Sequence, residues 1–228
     1  MNPYTIEPFD TDFYVIDEGG VRCFLVIGSD RALLIDTGFG KGDLRATVET
    51  LTALPVTVIQ THTDGDHFGA TSQFDQVLMH PSEFDYFTSK GGRHPGLNPV
   101  WEDEQIVCGL YTFRVILIPG HTPGSIALLE ENRRFLIGGD SLQAGAIFMF
   151  GPGRNMPAYL ASMRKLESRR SAFDTILASH HDLSVPADIL PDLIEAAELQ
   201  IAGKLQGGPP GRDLPCLLYR HRRVSLLV

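Results

Sequence analysis

The chain opens with short runs of β-branched and aromatic residues that are separated by glycine-containing turns. These runs predict strands over residues 13–16, 21–27 and 32–35, and the Gly19-Gly20 and Gly28-Ser29-Asp30 turns suit the hairpins between them. Apolar residues then recur at helical spacing over residues 43–54, where Asp43 is a predicted N-cap. The first third of the chain is therefore predicted to be an antiparallel meander that leads into a helix.

The rest of the chain alternates between strand-like and helix-like patterns. Helical periodicity predicts helices over residues 157–170 and 187–200, and the stretch 81–101 is predicted to be an irregular binding loop or lid with a helical turn at 82–87. Further strands are predicted over residues 56–60, 76–79, 110–118, 126–130, 133–137, 175–178, 216–219 and 224–228, with a tight hairpin at Glu131-Asn132. Strands in two groups, each followed by helices, favour an α/β fold with two mixed sheets face to face and helices outside.

The length and the charge of the chain limit the number of domains and the classes of partner to be expected. A chain of 228 residues has room for one sizeable core, so we expect a single domain over residues 1–228. Its formal charge of −9, from 28 acidic and 19 basic residues, disfavours binding to nucleic acid or to an anionic membrane. A small-molecule substrate is the expected partner, and the pattern leaves monomer and homodimer both open.

Targeting signals and cysteines add two expectations. The first residues lack the basic and apolar regions of a signal peptide, and no apolar run has the length of a membrane span, so a cytoplasmic location is expected. Cys23, Cys108 and Cys216 are distant in sequence and show no C-x-x-C spacing, which favours buried thiols over a disulfide framework or a thiolate metal site.

The segment from Thr61 to His67 carries the densest chemistry of the chain. It places two imidazoles and two carboxylates within six residues, directly after the predicted strand 56–60; these are His62, Asp64, Asp66 and His67. Imidazole and carboxylate are the ligands that zinc, iron and manganese accept. The same Thr-Asp-Gly-Asp stretch also has good turn chemistry, so a polar surface turn is the alternative at this point.

Three other predicted strands also run into residues of ligand type. His121 follows the strand 110–118, Asp140 follows 133–137, and the pair His180-His181 follows 175–178. Each of them alone is compatible with an ordinary turn. Strand ends at one edge of a layered sheet bring distant residues into one cleft, however, so jointly they indicate a dinuclear metal site.

At these residues the sequence resembles the metallo-β-lactamase-fold superfamily, whose core motif is His-x-His-x-Asp-His after a strand, followed by a Gly-His turn, a bridging aspartate and a last histidine. The resemblance covers roughly residues 10–185 and implies a four-layer αββα sandwich of two mixed β-sheets with helices on the outer faces. It also implies that the aspartate of Asp36-Thr37-Gly38 supports the metal loop without binding metal.

The resemblance further implies two metal ions. The first would be held by His62, Asp64 and His121, and the second by Asp66, His67 and His180, with Asp140 bridging them. His180 is preferred to His181 because it follows the strand and one small residue directly, and His181 stays open as a rival. Zinc is the first choice of metal.

Asp64 departs from the motif, which has histidine at that position. The additional carboxylate makes a site of two divalent ions, Asp66, Asp140 and a hydroxide formally neutral, so the first metal becomes a weaker Lewis acid. Carboxylate is also a harder ligand than imidazole, which shifts the preference toward iron or manganese or leaves the first site weak. The hypothesis that follows is that the second site fills first.

The resemblance implies a hydrolase in which a metal-bound hydroxide, oriented by Asp66 as the catalytic residue, attacks an ester, thioester, lactone or amide carbonyl. One alternative is a diiron oxidoreductase related to flavodiiron proteins, which carry a carboxylate at the motif position of Asp64. Another is a metal-binding sensing protein with little catalysis. The glyoxalase II-like subgroup is disfavoured because the tail after Gly207 does not resemble its C-terminal helical region, and an exported β-lactamase because no signal is evident.

Overall fold

A computed structural model of the chain describes residues 2–228. It divides into two compact units, the first ending at Ile116 and the second starting at Leu117, and each is described by itself. The prediction of one domain over the whole chain stays a prediction.

Unit 1 is built on a seven-stranded sheet in the order β1 to β7, followed by an antiparallel β8–β9 hairpin. The strands are β1 Thr5–Asp10, β2 Phe13–Asp17, β3 Arg22–Ile27, β4 Ala32–Ile35, β5 Val56–Ile59, β6 Gln76–Met79, β7 Leu97–Pro99, β8 Gln105–Cys108 and β9 Tyr111–Leu117; the helices are α1 Leu44–Glu49 and α2 Phe84–Ser89. Neighbours from β1 to β4 are antiparallel, and those from β4 to β7 are parallel. All four residues of β4 are buried, as expected for a strand whose two faces are covered.

Unit 2 has two groups of strands and the two longest helices. The strands are β10 Ile126–Glu130, β11 Phe135–Ile137, β12 Ala146–Phe148, β13 Thr175–Leu177, β14 Ser184–Pro186, β15 Gly207–Gly208, β16 Leu218–His221 and β17 Val224–Leu227; the helices are α3 Met156–Ser168 and α4 Leu190–Ile201. One group lies in the order β14-β13-β11-β10, and the other forms a sheet in the order β12-β17-β16-β15. Helix α3 packs on α4, which also contacts β17.

Most predicted elements are confirmed, but several predicted boundaries are wrong, among them the end of α1 and the turn between β10 and β11. Helix α1 ends at Glu49 and not at residue 54, because the hydroxyl of Thr50 donates to the carbonyl of Thr47 at 2.7 Å and Thr52 Oγ1 accepts from the Leu54 amide at 3.1 Å. Such local bonds offer the backbone an alternative to the helix. Asp43 is the N-cap as predicted, with its carboxylate accepting from the Ala46 amide at 2.8 Å.

The β10–β11 hairpin differs from the tight turn that Glu131-Asn132 predicted. Glu130 pairs with Phe135, so the loop has four residues, and Arg134 closes it with a φ of 60°. The carboxylate of Glu130 also accepts from the Arg133 amide, which satisfies a loop donor that the two-residue turn would have placed in the ladder.

The stretch 81–101 is more regular than predicted. It contains a 3-10 turn at Pro81–Glu83, then α2, then β7, which pairs in parallel with β6. The sequence pattern also does not predict strands β1, β8, β12, β14 and β15, because short or exposed strands carry little hydrophobic signal of their own. Of the three thiols, Cys23 and Cys108 are buried as predicted, whereas Cys216 is partly exposed.

Candidate metal centre

In unit 1 the predicted ligand loop folds into a turn at the end of β5. The rings of His62 and His67 are buried, with their centroids 4.0 Å apart, and His62 Nε2 lies 3.9 Å from Asp64 Oδ2. The His67 amide donates to the carbonyl of Asp64 at 2.8 Å, which closes the turn around Gly65. The segment is therefore both the turn and the candidate ligand loop that the sequence predicts, because the turn brings the two imidazoles together.

Asp36 supports this loop from the neighbouring strand. β4 and β5 are parallel with Ile35 opposite Ile59, so the residues that follow the two strands meet at the same edge. The Asp36 carboxylate is buried and accepts from the Thr61 amide at 2.7 Å and from the Thr61 hydroxyl at 2.7 Å. Its Oδ2 also lies 2.8 Å from His67 Nδ1.

These contacts define the role of Asp36. Ligand-type atoms of Asp36, His62 and His67 lie within 4.8 Å of one another, a spacing that is compatible with a metal ion. Both Asp36 oxygens are already engaged by Thr61 and His67, however, so Asp36 is a support of the loop and not a ligand. A histidine that donates Nδ1–H to a carboxylate presents Nε2 as its ligating nitrogen, and histidines that bind metals usually have such a hydrogen-bond partner.

A buried thiol lies near the same support. Burial raises the pKa of the Cys23 thiol well above its ordinary value, and the negative charges of Asp36 and Glu18 raise it further. A thiol with a raised pKa is protonated at neutral pH, so Cys23 is a poor nucleophile.

A helical segment that the sequence did not assign to the site also contacts the ligand loop. Glu83 Oε1 accepts from the Thr63 amide at 2.8 Å and from the Thr63 hydroxyl at 2.9 Å. The Tyr86 hydroxyl donates to Asp64 Oδ1 at 2.8 Å. No sequence signal marks these residues, because the contacts join positions 20 and 22 residues apart.

In unit 2, His121 is fixed in the loop that follows residue 118. Its side chain is fully buried, and its Nδ1 lies 2.8 Å from the carbonyl oxygen of Phe148, so Nε2 is again the nitrogen that is directed elsewhere. Nε2 lies 3.9 Å from Asp140 Oδ2. Gly120 precedes it with a φ of 142°, and a Cβ there would come within 2.4 Å of the Tyr159 backbone.

Asp140 and His180 meet because β11 and β13 are parallel. Ile137 is opposite Leu177, so Asp140 and His180 lie equally far beyond paired strand ends, and Asp140 Oδ1 is 3.3 Å from His180 Nε2. The rival His181 is exposed, with a φ of 55°, and its ring lies against Gly145.

Helix α3 anchors the two loops that carry His121 and Asp140. Ser162 Oγ donates to the Pro119 carbonyl at 2.7 Å, and the Tyr159 hydroxyl donates to the Ser141 carbonyl at 3.0 Å. Burial raises the pKa of Tyr159 well above its usual range, so the phenol stays protonated and remains a donor. One helix thus determines the position of two predicted ligands.

The donor set fits a divalent transition metal. The predicted ligands divide between the two units, and in each unit they are buried or partly buried side chains with imidazole nitrogens and carboxylate oxygens, the donors that zinc, iron and manganese accept. The unit 1 set is His62, Asp64, Asp66 and His67, and the unit 2 set is His121, Asp140 and His180. Two further histidines make other hydrogen-bond contacts: His80 Nδ1 accepts from the Ser82 amide, and His94 Nε2 lies 2.7 Å from the Phe74 carbonyl oxygen.

Residues 16–180 match the family model described as the metallo-beta-lactamase superfamily. The chain belongs to this superfamily. The family that the sequence resembles is thereby confirmed. The superfamily binds metal, and the groups of His and Asp side chains in this chain are candidate ligands for it.

Two curated relatives show where the chain stands among superfamily hydrolases. It is 28% identical over 193 residues to an acyl-coenzyme A thioesterase of Bos taurus, with 65% of this chain and 68% of the relative covered. It is 29% identical over 213 residues to a hydroxyacylglutathione hydrolase of Pectobacterium atrosepticum, with 88% of this chain and 78% of the relative covered.

Solved structures of the superfamily confirm the fold. A metallo-beta-lactamase from Pontibacter korlensis matches with a TM-score of 0.73 at 18% identity, covering 86% of this chain and 99% of its own. The metallo-β-lactamase fold, an α/β fold with mixed sheets and helices, is therefore the fold of this superfamily member. Within residues 2–228, the structure contains no helix that combines the length and apolar character needed to cross a bilayer.

Proposed function

We propose that this protein is a metal-dependent hydrolase that cleaves an acyl compound at an ester, thioester, lactone or amide carbonyl, with thioesters as the preferred class. The observation that carries the proposal is the buried His62–His67 pair with its Asp36 support, in a chain of the metallo-beta-lactamase superfamily. Two relatives support the thioester preference, because one is named a thioesterase and the other is named for removing an acyl group from glutathione.

The proposed ligand set is the one that the resemblance implies. His62, Asp64 and His121 would hold the first ion, Asp66, His67 and His180 would hold the second, and Asp140 would be a ligand of both. Zinc is the proposed metal, and iron and manganese are the alternatives that the Asp64 carboxylate favours. When bound, such ions activate water as a nucleophile and polarise the carbonyl that it attacks.

The side chains of the chain have separate tasks in this proposal. Asp66 is partly buried, and its carboxylate would orient the attacking water and accept its proton. His67 keeps a fixed ring orientation because Asp36 holds its Nδ1 at 2.8 Å. His121 is held in the same way by the Phe148 carbonyl, so both imidazoles are preorganised and lose little entropy when they bind an ion.

The proposal is tested with protein stripped of metal and reloaded separately with zinc, iron or manganese. Each form is assayed against a panel of thioesters, esters, lactones and amides. We expect hydrolysis of a thioester that requires the added ion, a large loss in His180→Ala, and near-normal rates in the matched control His181→Ala.

Two outcomes would contradict the hydrolase proposal and favour one of its alternatives. Iron binding with visible redox transitions and no hydrolysis across the panel would indicate the diiron oxidoreductase that the carboxylate at position 64 also suits. Metal-dependent thermal shifts with ligands but no turnover would indicate a sensing protein.

A further inference from the structure

The Asp64 carboxylate is shared between two neighbours. Its Oδ1 accepts the Tyr86 hydroxyl at 2.8 Å, whereas its Oδ2 lies 3.9 Å from His62 Nε2. We propose that Tyr86 is a positioning residue that reserves Oδ1 and leaves Oδ2 as the single metal-binding oxygen of Asp64. This inference rests on the proposed function only in taking Asp64 as a ligand.

The contact belongs to a clamp formed by three residues of the segment 81–89. Glu83 and Tyr86 are three residues apart on consecutive helical turns and therefore share a face. Glu83 holds Thr63, Tyr86 holds Asp64, and the Phe87 ring packs edge-on against Phe68 with centroids 5.2 Å apart. The clamp therefore contacts the ligand loop at Thr63 and at Asp64, the one residue that departs from the family motif, and it also contacts Phe68 directly after the loop.

Tyr86 is itself held in place. Its side chain is buried, and its carbonyl accepts from the Ser89 hydroxyl at 2.7 Å and from the Lys90 amide at 3.1 Å. The Lys90 ammonium lies 5.0 Å from the ring centroid, within cation–π range. The phenol is therefore a preorganised donor, and its bond to Asp64 costs little additional ordering.

The chemistry of a carboxylate ligand explains why such a donor matters. An unrestrained aspartate can bind through either oxygen or through both, whereas a histidine offers one nitrogen in a fixed direction. A hydrogen bond to Oδ1 makes Asp64 a one-oxygen ligand and withdraws some of its negative charge. Hydrogen-bonded partners of this kind tune ligating carboxylates, and their loss typically costs 10–100-fold in metal affinity. Tyr86 thus offsets part of the charge that Asp64 adds to the first metal.

The test compares Tyr86→Phe with Tyr111→Phe. Tyr111 is a matched control, because it is a buried tyrosine of the same unit whose hydroxyl donates to the Thr11 carbonyl at 2.7 Å, away from the ligand loop. Metal affinity is measured by competition with a chromophoric chelator, using zinc and manganese. We expect Tyr86→Phe to bind the ion of the first site, the one that Asp64 is proposed to hold, about 10–100-fold more weakly than the wild type does. We expect Tyr111→Phe to bind the ions of both sites as the wild type does.

A double-mutant cycle with Asp64→Ala separates positioning from general stability. If Tyr86 acts through Asp64, Tyr86→Phe has no further effect on affinity in the Asp64→Ala background. Wild-type affinity in Tyr86→Phe, or an equal loss in both backgrounds, would overturn the inference. If the expected affinity pattern is found but the wild type hydrolyses nothing, the proposed hydrolase is wrong and the proposed role of Tyr86 is supported. If Asp64→Ala alone binds both ions normally, the proposed role of Tyr86 is wrong.

Discussion

His67 Nδ1 and Asp36 Oδ2 lie 2.8 Å apart, and both side chains are excluded from solvent. The pair joins the end of β4 to the ligand loop that follows β5, two parallel neighbours. Because Asp36 also binds the amide and hydroxyl of Thr61, one carboxylate fixes both the path of the loop and the orientation of an imidazole.

Replacing Asp36 with asparagine tests this support. The amide keeps the volume of the side chain, but its one oxygen can occupy only one of the two carboxylate positions. It therefore cannot accept from the Thr61 amide and also from the Thr61 hydroxyl and His67. We expect metal affinity to fall about 10–100-fold, measured by chelator competition alongside a thermal melt. Asp17→Asn, which changes an aspartate whose Oδ1 accepts from the Gly19 amide on the surface, is the control. Unchanged metal affinity in Asp36→Asn would show that the contact is structural only.

The Asp64→His variant restores the histidine of the family motif. In the wild type we expect the second site to retain zinc more tightly than the first, because the Asp64 carboxylate makes the first a poorer match for zinc. The variant should bring zinc content closer to two ions per chain after purification without added metal. Metal analysis of both proteins decides the matter, and full, equal zinc occupancy in the wild type would contradict the hypothesis.

The structure predicts that the loop that holds His121 cannot accept a side chain at Gly120 without strain. Gly120→Ala combines a φ of 142° with a Cβ only 2.4 Å from the Tyr159 backbone. The control is Gly20→Ala, where φ is 114° but no heavy atom lies within 4 Å of the added Cβ. We expect Gly120→Ala to lower the free energy of unfolding by about 1–3 kcal/mol more than Gly20→Ala, because overpacking adds to backbone strain. Urea denaturation measures both, and equal losses would show that α3 yields to the additional methyl group.

The ion pairs of Asp192, which lies in α4, should make the stability of the fold depend on pH. Burial raises the pKa of this carboxylate, but the hydrogen bonds from Arg223 and Arg222 outweigh burial and hold the pKa below its ordinary value. A group whose folded pKa is depressed stabilises the fold above its unfolded pKa of about 3.9 and loses that contribution as pH falls through the folded value.

Asp192→Asn should therefore cost about 1.5–3 kcal/mol at neutral pH, the range for hydrogen bonds to charged groups. The difference from the wild type should shrink once the pH falls below about 4. Thermal or urea unfolding across this pH range measures the difference. A constant difference down to pH values well below the unfolded pKa would show that the ion pairs contribute nothing that titrates.

The ligand-type residues were predictable because hydrophobic periodicity marks strands and parallel strands bring their carboxyl ends together. Asp140 and His180 lie at matching distances beyond the paired residues Ile137 and Leu177, and the sequence already placed both of them just after strands. The resemblance preferred His180 as the last ligand and left His181 open as a rival. The structure supports that preference, because His181 takes a φ of 55° and is exposed, whereas His180 Nε2 lies 3.3 Å from Asp140 Oδ1.

The sequence by itself determined the fold class, most strands and helices, the family and the residues of ligand type, since each depends on local pattern or on a motif of adjacent residues. Only the tertiary structure showed that Glu83 and Tyr86 hold the ligand loop, that Asp36 engages His67, and that α3 anchors two further loops. Those contacts join residues 18 to 43 positions apart. They depend on how strands pair and helices pack, and neither the periodicity nor the composition of a segment records which distant hydroxyl or carboxylate will meet it.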